Sequence, residues 1–187
     1  ATATITAKAG DLTATSSVYV YDKIWNVNTD GNAAVTTNES WLIEGDVTTS
    51  VYKSITIGAG ATVTLNGINI TKGIECLGDA TIILADGSTN TVIGAFLKAA
   101  IVVGPSGTTL TIDAETAGDG KLNATGGTQS AGIGTSYSNS SDITCGAITI
   151  KGGEITAKGA MYAAGIGTGL TIDKNNTNAT VAATATA

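Results

Sequence analysis

The sequence predicts an all-β fold, a right-handed parallel β-helix (solenoid) with about three strands per coil, and three observations carry that prediction. Short runs that alternate apolar and polar residues recur along the 187-residue chain in a repeating order of three. KLNATGGTQSAGIGT at 121–135 aligns without a gap on EITAKGAMYAAGIGT at 154–168, a self-similarity that marks a repeat architecture. The composition holds 25 glycines, 4% aromatic and 13% charged residues. So few large side chains cannot fill a globular core, but they suit a thin core of many small layers.

Three strand families follow. The first comprises Ile43, Ile74, Val102, Ile133 and Ile166 with their neighbours. The second comprises the segments at 55–57, 81–84, 110–112, 148–150 and 170–172. The third comprises those at 62–65, 91–93, 121–124 and 154–157. The period-2 alternation within each is that of a half-buried strand. Glycine clusters at 58–60, 126–127 and 152–153 fit the corners. The spacing gives a period of 26 to 33 residues. An antiparallel β-sandwich also uses short strands and turns, but it does not predict gap-free repeats of a three-strand unit.

The chain divides into a strand or cap segment at 1–40, a β-helix at 41–173 and a β-prone tail at 174–187. The first 52 residues hold five of the eight aromatics: Tyr19, Tyr21, Trp25, Trp41 and Tyr52. That segment is expected to cover the first coil, because an open apolar end is an aggregation surface. Residues 175–187 carry no charged side chain, and residues 1–7 are similarly bland. Both ends are either frayed tails or strands that pair with neighbouring copies, the N-terminal segment being exchanged between subunits. A head-to-tail contact that does not close gives an open filament.

Composition also narrows the partners. All nine basic residues are lysines and the net charge is −6, so nucleic acid is not an expected ligand. No stretch approaches the length of a membrane span, and no membrane insertion is expected. The start at Ala1, without a basic or apolar leader, reads as a mature secreted form; a trimmed piece of a longer chain reads the same way. An extracellular, cell-surface location is expected.

The residues TVTLNGINITKGIECLGDATIILADGSTNTVIG (62–94) and AGIGTSYSNSSDITCGAITIKGGEITAKG (131–159) resemble segments of bacterial surface proteins labelled carbohydrate-binding β-helix domains. The resemblance spans roughly 41–173. It implies an extracellular right-handed β-helix, with calcium and acidic plant polysaccharide as a ligand class among relatives.

There is no histidine, which removes Ser-His-Asp and Cys-His catalysis, and no enzyme activity is expected. The densest acidic group, Asp113, Glu115 and Asp119, loosely resembles a calcium loop with short-spaced oxygen ligands; it also reads as a solvated corner. Asp79 and Asp142 read as corner residues bonding the local backbone. Asn38, Asn69, Asn123, Asn139, Asn175 and Asn178 stand in Asn-x-Ser/Thr triplets and are glycosylation candidates. Cys76 and Cys145 fall about two coils apart, ~10 Å of stacking and too far for a bridge, so free thiols are expected. Thr-x-Thr pairs at 62–64 and 109–111 raise ice binding, but they do not recur in every coil.

Three functional readings remain open. The first is a non-catalytic extracellular structural protein, a subunit of a head-to-tail surface filament or adhesive appendage. The second is a calcium-dependent polysaccharide-binding module, with Tyr52, Phe96, Tyr137 and Tyr162 as the few aromatic platforms. The third is an adhesin domain of a longer surface protein.

Overall fold

A computed structural model describes residues 2–9, 11–116, 118–139, 143–171 and 183–185. The described residues are all-β, with no helix. The first two strands, β1 (Thr2–Ala9) and β2 (Leu12–Tyr19), pair antiparallel as a two-stranded sheet of their own. All other strand pairs are parallel.

They form three sheets. Sheet I stacks β3 (Lys23–Asn26), β5 (Ser40–Glu44), β7 (Ala61–Asn66), β10 (Ala80–Leu84), β13 (Thr109–Ala114), β16 (Ala147–Ile150) and β19 (Ala183–Ala185) in that order. Sheet II stacks β8 (Asn69–Ile70), β11 (Thr89–Ile93), β14 (Lys121–Thr125) and β17 (Glu154–Lys158). Sheet III stacks β4 (Ala33–Val35), β6 (Ile55–Ile57), β9 (Ile74–Cys76), β12 (Ile101–Val102), β15 (Ile133–Gly134) and β18 (Ile166–Gly167). From β7 onward the chain visits sheets I, II and III in strict rotation. One passage through the three is called a circuit below.

Each strand lies in register on its predecessor, so equivalent side chains form columns. One column in sheet I runs Trp41, Val63, Ile82, Ile112, Ile150. Another, in sheet III, runs Ile55, Ile74, Ile101, Ile133, Ile166. These columns, with Leu65, Leu84, Leu110, Leu122 and Val92, form one buried cluster, against which the last members, Ile150 and Ile166, pack half-buried. The alternate residues face outward; Ser40, Thr62, Thr81, Thr111 and Thr149 share one register position across sheet I. Threonine is favoured there because its branched side chain packs on a pleated surface.

The circuits are not of constant length. Strand-to-strand offsets in sheet I run from 18 residues (Lys23 to Trp41) to 38 (Thr109 to Ala147). The early circuits are short: Ala61 pairs with Ala80, an offset of 19. This corrects the strand families read from a period of 26 to 33. Ile43 lies in sheet I, above Leu65, not with Ile74. The strand at 55–57 stacks on 74–76 in sheet III, and 62–65 stacks on 81–84 in sheet I. Near the other end, Thr171 bridges Ser138, and Ala183–Ala185 takes the place on β16. The parallel ladders also begin at Lys23, so residues 1–40 divide between the hairpin and the first circuit.

The first circuit is sealed from above. Trp25 and Trp41 stack with centroids 5.6 Å apart, and the Lys23 ammonium lies 4.3 and 4.6 Å from the two rings. Both indole N–H groups have acceptors, Trp25 at Gly31 O (3.4 Å) and Trp41 at Glu39 Oε2 (2.8 Å). The bulky rings close the core while the ammonium keeps the outermost layer wet.

Polar side chains tie circuit to circuit. Asn90, fully buried, accepts from Ile68 N–H (3.2 Å) and donates to Leu65 O (3.4 Å), Ser88 Oγ (2.9 Å) and Lys121 O (3.2 Å). It thus links three successive circuits. At the corners, carboxylates and amides accept backbone N–H groups from neighbouring circuits: Ser40 to Asp22 (2.7 Å), Asp46 to Asn28 (2.7 Å), Ser54 to Asn32 (3.0 Å) and Thr109 to Asp79 (2.7 Å). These groups leave the sheets at each bend and would otherwise lack partners. Replacing Asn90 by alanine strands the Ile68 N–H in the core. Asn90→Ala should lower unfolding stability by about 2 to 3 kcal/mol, the cost of buried unpaired groups, measured by urea denaturation.

Candidate functional site

The bend from sheet II to sheet III repeats one backbone shape. Loops 94–100, 126–132 and 159–165 precede β12, β15 and β18. Each opens on a glycine (Gly94, Gly126, Gly159) whose added Cβ would strike the backbone at the far end of its own loop. Each places a non-glycine residue in the left-handed region at the same point: Leu97 (φ 58°), Gln129 (φ 59°) and Tyr162 (φ 65°). Successive loops bond to one another, Gly127 N–H to Lys98 O (2.8 Å) and Ala160 N–H to Ser130 O (3.1 Å). Left-handed non-glycine residues are uncommon, and their recurrence three residues after each opening glycine marks the three loops as one repeated bend.

The bend also carries exposed apolar side chains. Phe96 is 76% exposed, and Met161 and Tyr162 are 62% and 85% exposed. Tyr52 belongs to the same bend: Val51 bridges Ile70 in sheet II, and Ile55 opens β6 in sheet III. It is 70% exposed. Lys53 and Lys72 stack there, with Lys72 N–H on Lys53 O (3.1 Å). The Lys72 ammonium sits 5.0 Å from the Tyr52 ring. Beside the bend, a depression of about 90 Å³ is lined by residues that include Ser54, Lys72, Glu75 and Lys98. Exposed ring faces next to ammonium groups can receive a ligand with apolar faces and negative charge.

The acidic trio is not gathered into one site. Asp113 Oδ1 takes the adjacent Ala114 N–H (2.9 Å). Glu115 Oε2 takes Asp86 N–H (3.1 Å), and its Oε1 takes the Tyr21 hydroxyl (3.3 Å). Asp119 Oδ1 takes Gly87 N–H (2.6 Å). Among the described residues, no three His, Cys, Asp or Glu side chains converge on a common point. Glu115 and Asp119 staple the Asp86–Gly87 corner of the preceding circuit, whereas Asp113 holds the amide next to it. Tyr19 adds a bond to Thr116 (2.9 Å). Burial pushes the Tyr21 hydroxyl above its ordinary value; the Glu115 carboxylate adds to this and a Thr64 bond opposes it.

The other candidate residues are dispersed. Asn38 is exposed in a left-handed turn (φ 61°). Asn69 is half-buried, its amide on Val47 O (3.0 Å). Asn123 lies half-buried in β14. Asn139 is exposed and accepts the Tyr137 hydroxyl. Asn175, Asn178 and Asp142 lie outside the described residues. Cys76 and Cys145 are free. Burial, with Glu75 nearby, pushes the Cys76 thiol up to about 12; burial also raises Cys145, which is half-buried beside a groove along Ser106–Thr109. At pH 8 a maleimide should modify Cys145 well before Cys76, and Cys76 only on unfolding. Mass mapping of the labelled peptides measures this.

The lysines of the bend carried no sequence signal, since they occupy different loop positions. The equivalence of GAFLKA (94–99) and GAMYAA (159–164) was detectable by spacing from Ile101 and Ile166. Compared with family models, curated proteins and solved structures, the chain matches none.

Proposed function

We propose that this chain is a non-catalytic extracellular structural protein, a right-handed parallel β-helix that serves as the subunit of a head-to-tail surface filament or adhesive appendage. The strict rotation through three parallel sheets around one buried cluster supports the helical reading. Right-handed crossovers are the rule for parallel strands. The resemblance of 62–94 and 131–159 to bacterial surface β-helices points to the same class.

One observation carries the filament reading: the two ends of the core differ. At the first circuit Lys23, Trp25 and Trp41 form a closed layer. At the last, Ile155, Ala157 and Ile166 are only half-buried, although their column neighbours Leu122, Ala124 and Ile133 are buried. Among the described residues β19 follows β16 in sheet I, but no strand follows β17 or β18, and such open edges beside an apolar layer are a template for a further chain. Purified protein should form unbranched filaments in negative-stain micrographs as concentration rises. Monomers at every concentration, by sedimentation, would rule the reading out.

A second reading, a polysaccharide-binding module or adhesin domain, is favoured by the bend that carries Tyr52, Lys72, Phe96, Lys98 and Tyr162. It rests on rings and ammonium groups rather than on calcium. Polygalacturonate in a native gel should retard the protein, and the triple change Tyr52→Ala, Phe96→Ala, Tyr162→Ala should weaken the retardation at least about tenfold. Equal mobility of wild type with and without the polymer would refute it.

A further inference from the structure

The hairpin β1–β2 is a strand pair without a sheet. Neither strand pairs with any described strand of the three parallel sheets. Its attachment to the body includes two tyrosine hydroxyls at its base, Tyr19 to Thr116 (2.9 Å) and Tyr21 to Glu115 (3.3 Å). An isolated two-stranded hairpin is marginal in water. This one has eight-residue strands and exposes Leu12 (78%), Val18 (38%) and Tyr19 (39%). The sequence 2–19 holds one lysine, Lys8, and one acid, Asp11, so it carries few of the charges that keep edge strands apart.

β17 is the outermost strand of sheet II among the described residues. Its register fixes which groups are open. Glu154 N–H donates to Gly120 O (2.9 Å), and Lys158 O accepts from Gly126 N–H (2.8 Å). Glu154, Thr156 and Lys158 therefore face β14. In a parallel ladder the alternate residues present N–H and C=O on the opposite side, so Ile155 and Ala157 offer theirs outward. The side chains of the same two residues are half-buried in the uncovered last layer of the core. A strand laid here gains main-chain hydrogen bonds and covers that layer at once. Over five residues β17 alternates Ile and Ala with Glu, Thr and Lys. Likewise β1, TATITAKA, alternates Ala and Ile with Thr and Lys.

We infer that the hairpin β1–β2 of one copy adds to the open edge of β17 in a second copy, and that this strand addition is the joint of the filament. The inference rests on the head-to-tail reading above and names its two surfaces. The partner is a second copy of this chain because one molecule carries, among its described residues, both a hairpin and a sheet edge without a further strand. Main-chain pairing supplies the affinity, and the alternating side chains set the register.

Three forms of the full chain test it. Removing residues 1–17 deletes the donor and leaves the three sheets intact; filaments should be lost. Added to intact protein, this truncated form keeps a free β17 edge and should shorten filaments in proportion to its share. Ala157→Pro removes one outward N–H without touching a β14 bond, a substitution that edge strands tolerate; it should abolish assembly at unchanged circular dichroism. Filaments that persist in both altered forms would overturn the joint while leaving the filament reading standing. Filaments lost on truncation but unaffected by Ala157→Pro would place the contact between two hairpins and overturn the β17 edge. Intact protein that never assembles would refute the reading and the joint together.

Discussion

Parallel in-register stacking governs this molecule. Every strand of the three sheets bonds its main chain to a strand one circuit away, so each circuit is specified by the one before it. Columns such as Ile74, Ile101, Ile133 and Ile166 follow, because a fixed register brings equivalent positions together. So do the corner staples. Wherever the chain leaves a sheet, its N–H groups need acceptors, and Asp22, Asp79, Glu115 and Asp119 supply them from a neighbouring circuit. These four acidic side chains thus serve the backbone of the neighbouring circuit.

The later circuits were legible because they repeat by sequence. Ile133 and Ile166, Leu122 and Ile155, and Leu110 and Ile148 stack as their motifs imply. The earlier ones were not, because a turn can shed residues without disturbing the strands it joins. An offset of 19 residues from Ala61 to Ala80 and one of 38 from Thr109 to Ala147 serve the same geometry. An assumed constant period moves 55–57 and 62–65 one sheet along. The alternation within each strand survives that error, so the core residues were found while their neighbours were not.

The candidate site shows the same limit. DAETAGDG drew attention because its acids are close in sequence, yet Asp113, Glu115 and Asp119 take up separate backbone bonds. Tyr52, Lys72, Phe96 and Tyr162 are far apart in sequence, yet they share one bend because stacking superposes it. In a stacked chain, proximity runs across circuits, and no short motif records it. The left-handed Leu97, Gln129 and Tyr162 mark the bend better than any residue type does.

Sheet III has a mechanical consequence. Its later strands, β12, β15 and β18, are two residues long, against six in β13 of sheet I. Pulled along the stacking direction, successive circuits bear load in series, and extension is decided at the weakest junction. The terminal circuits would rip first, one at a time, beginning where sheet III has least to hold. Each detached circuit of 33 residues, as from Ile133 to Ile166, would pay out roughly 110 Å of slack. A stack so held would yield in steps under sudden strain and keep its remaining circuits whole, as a rip-stitch lanyard does.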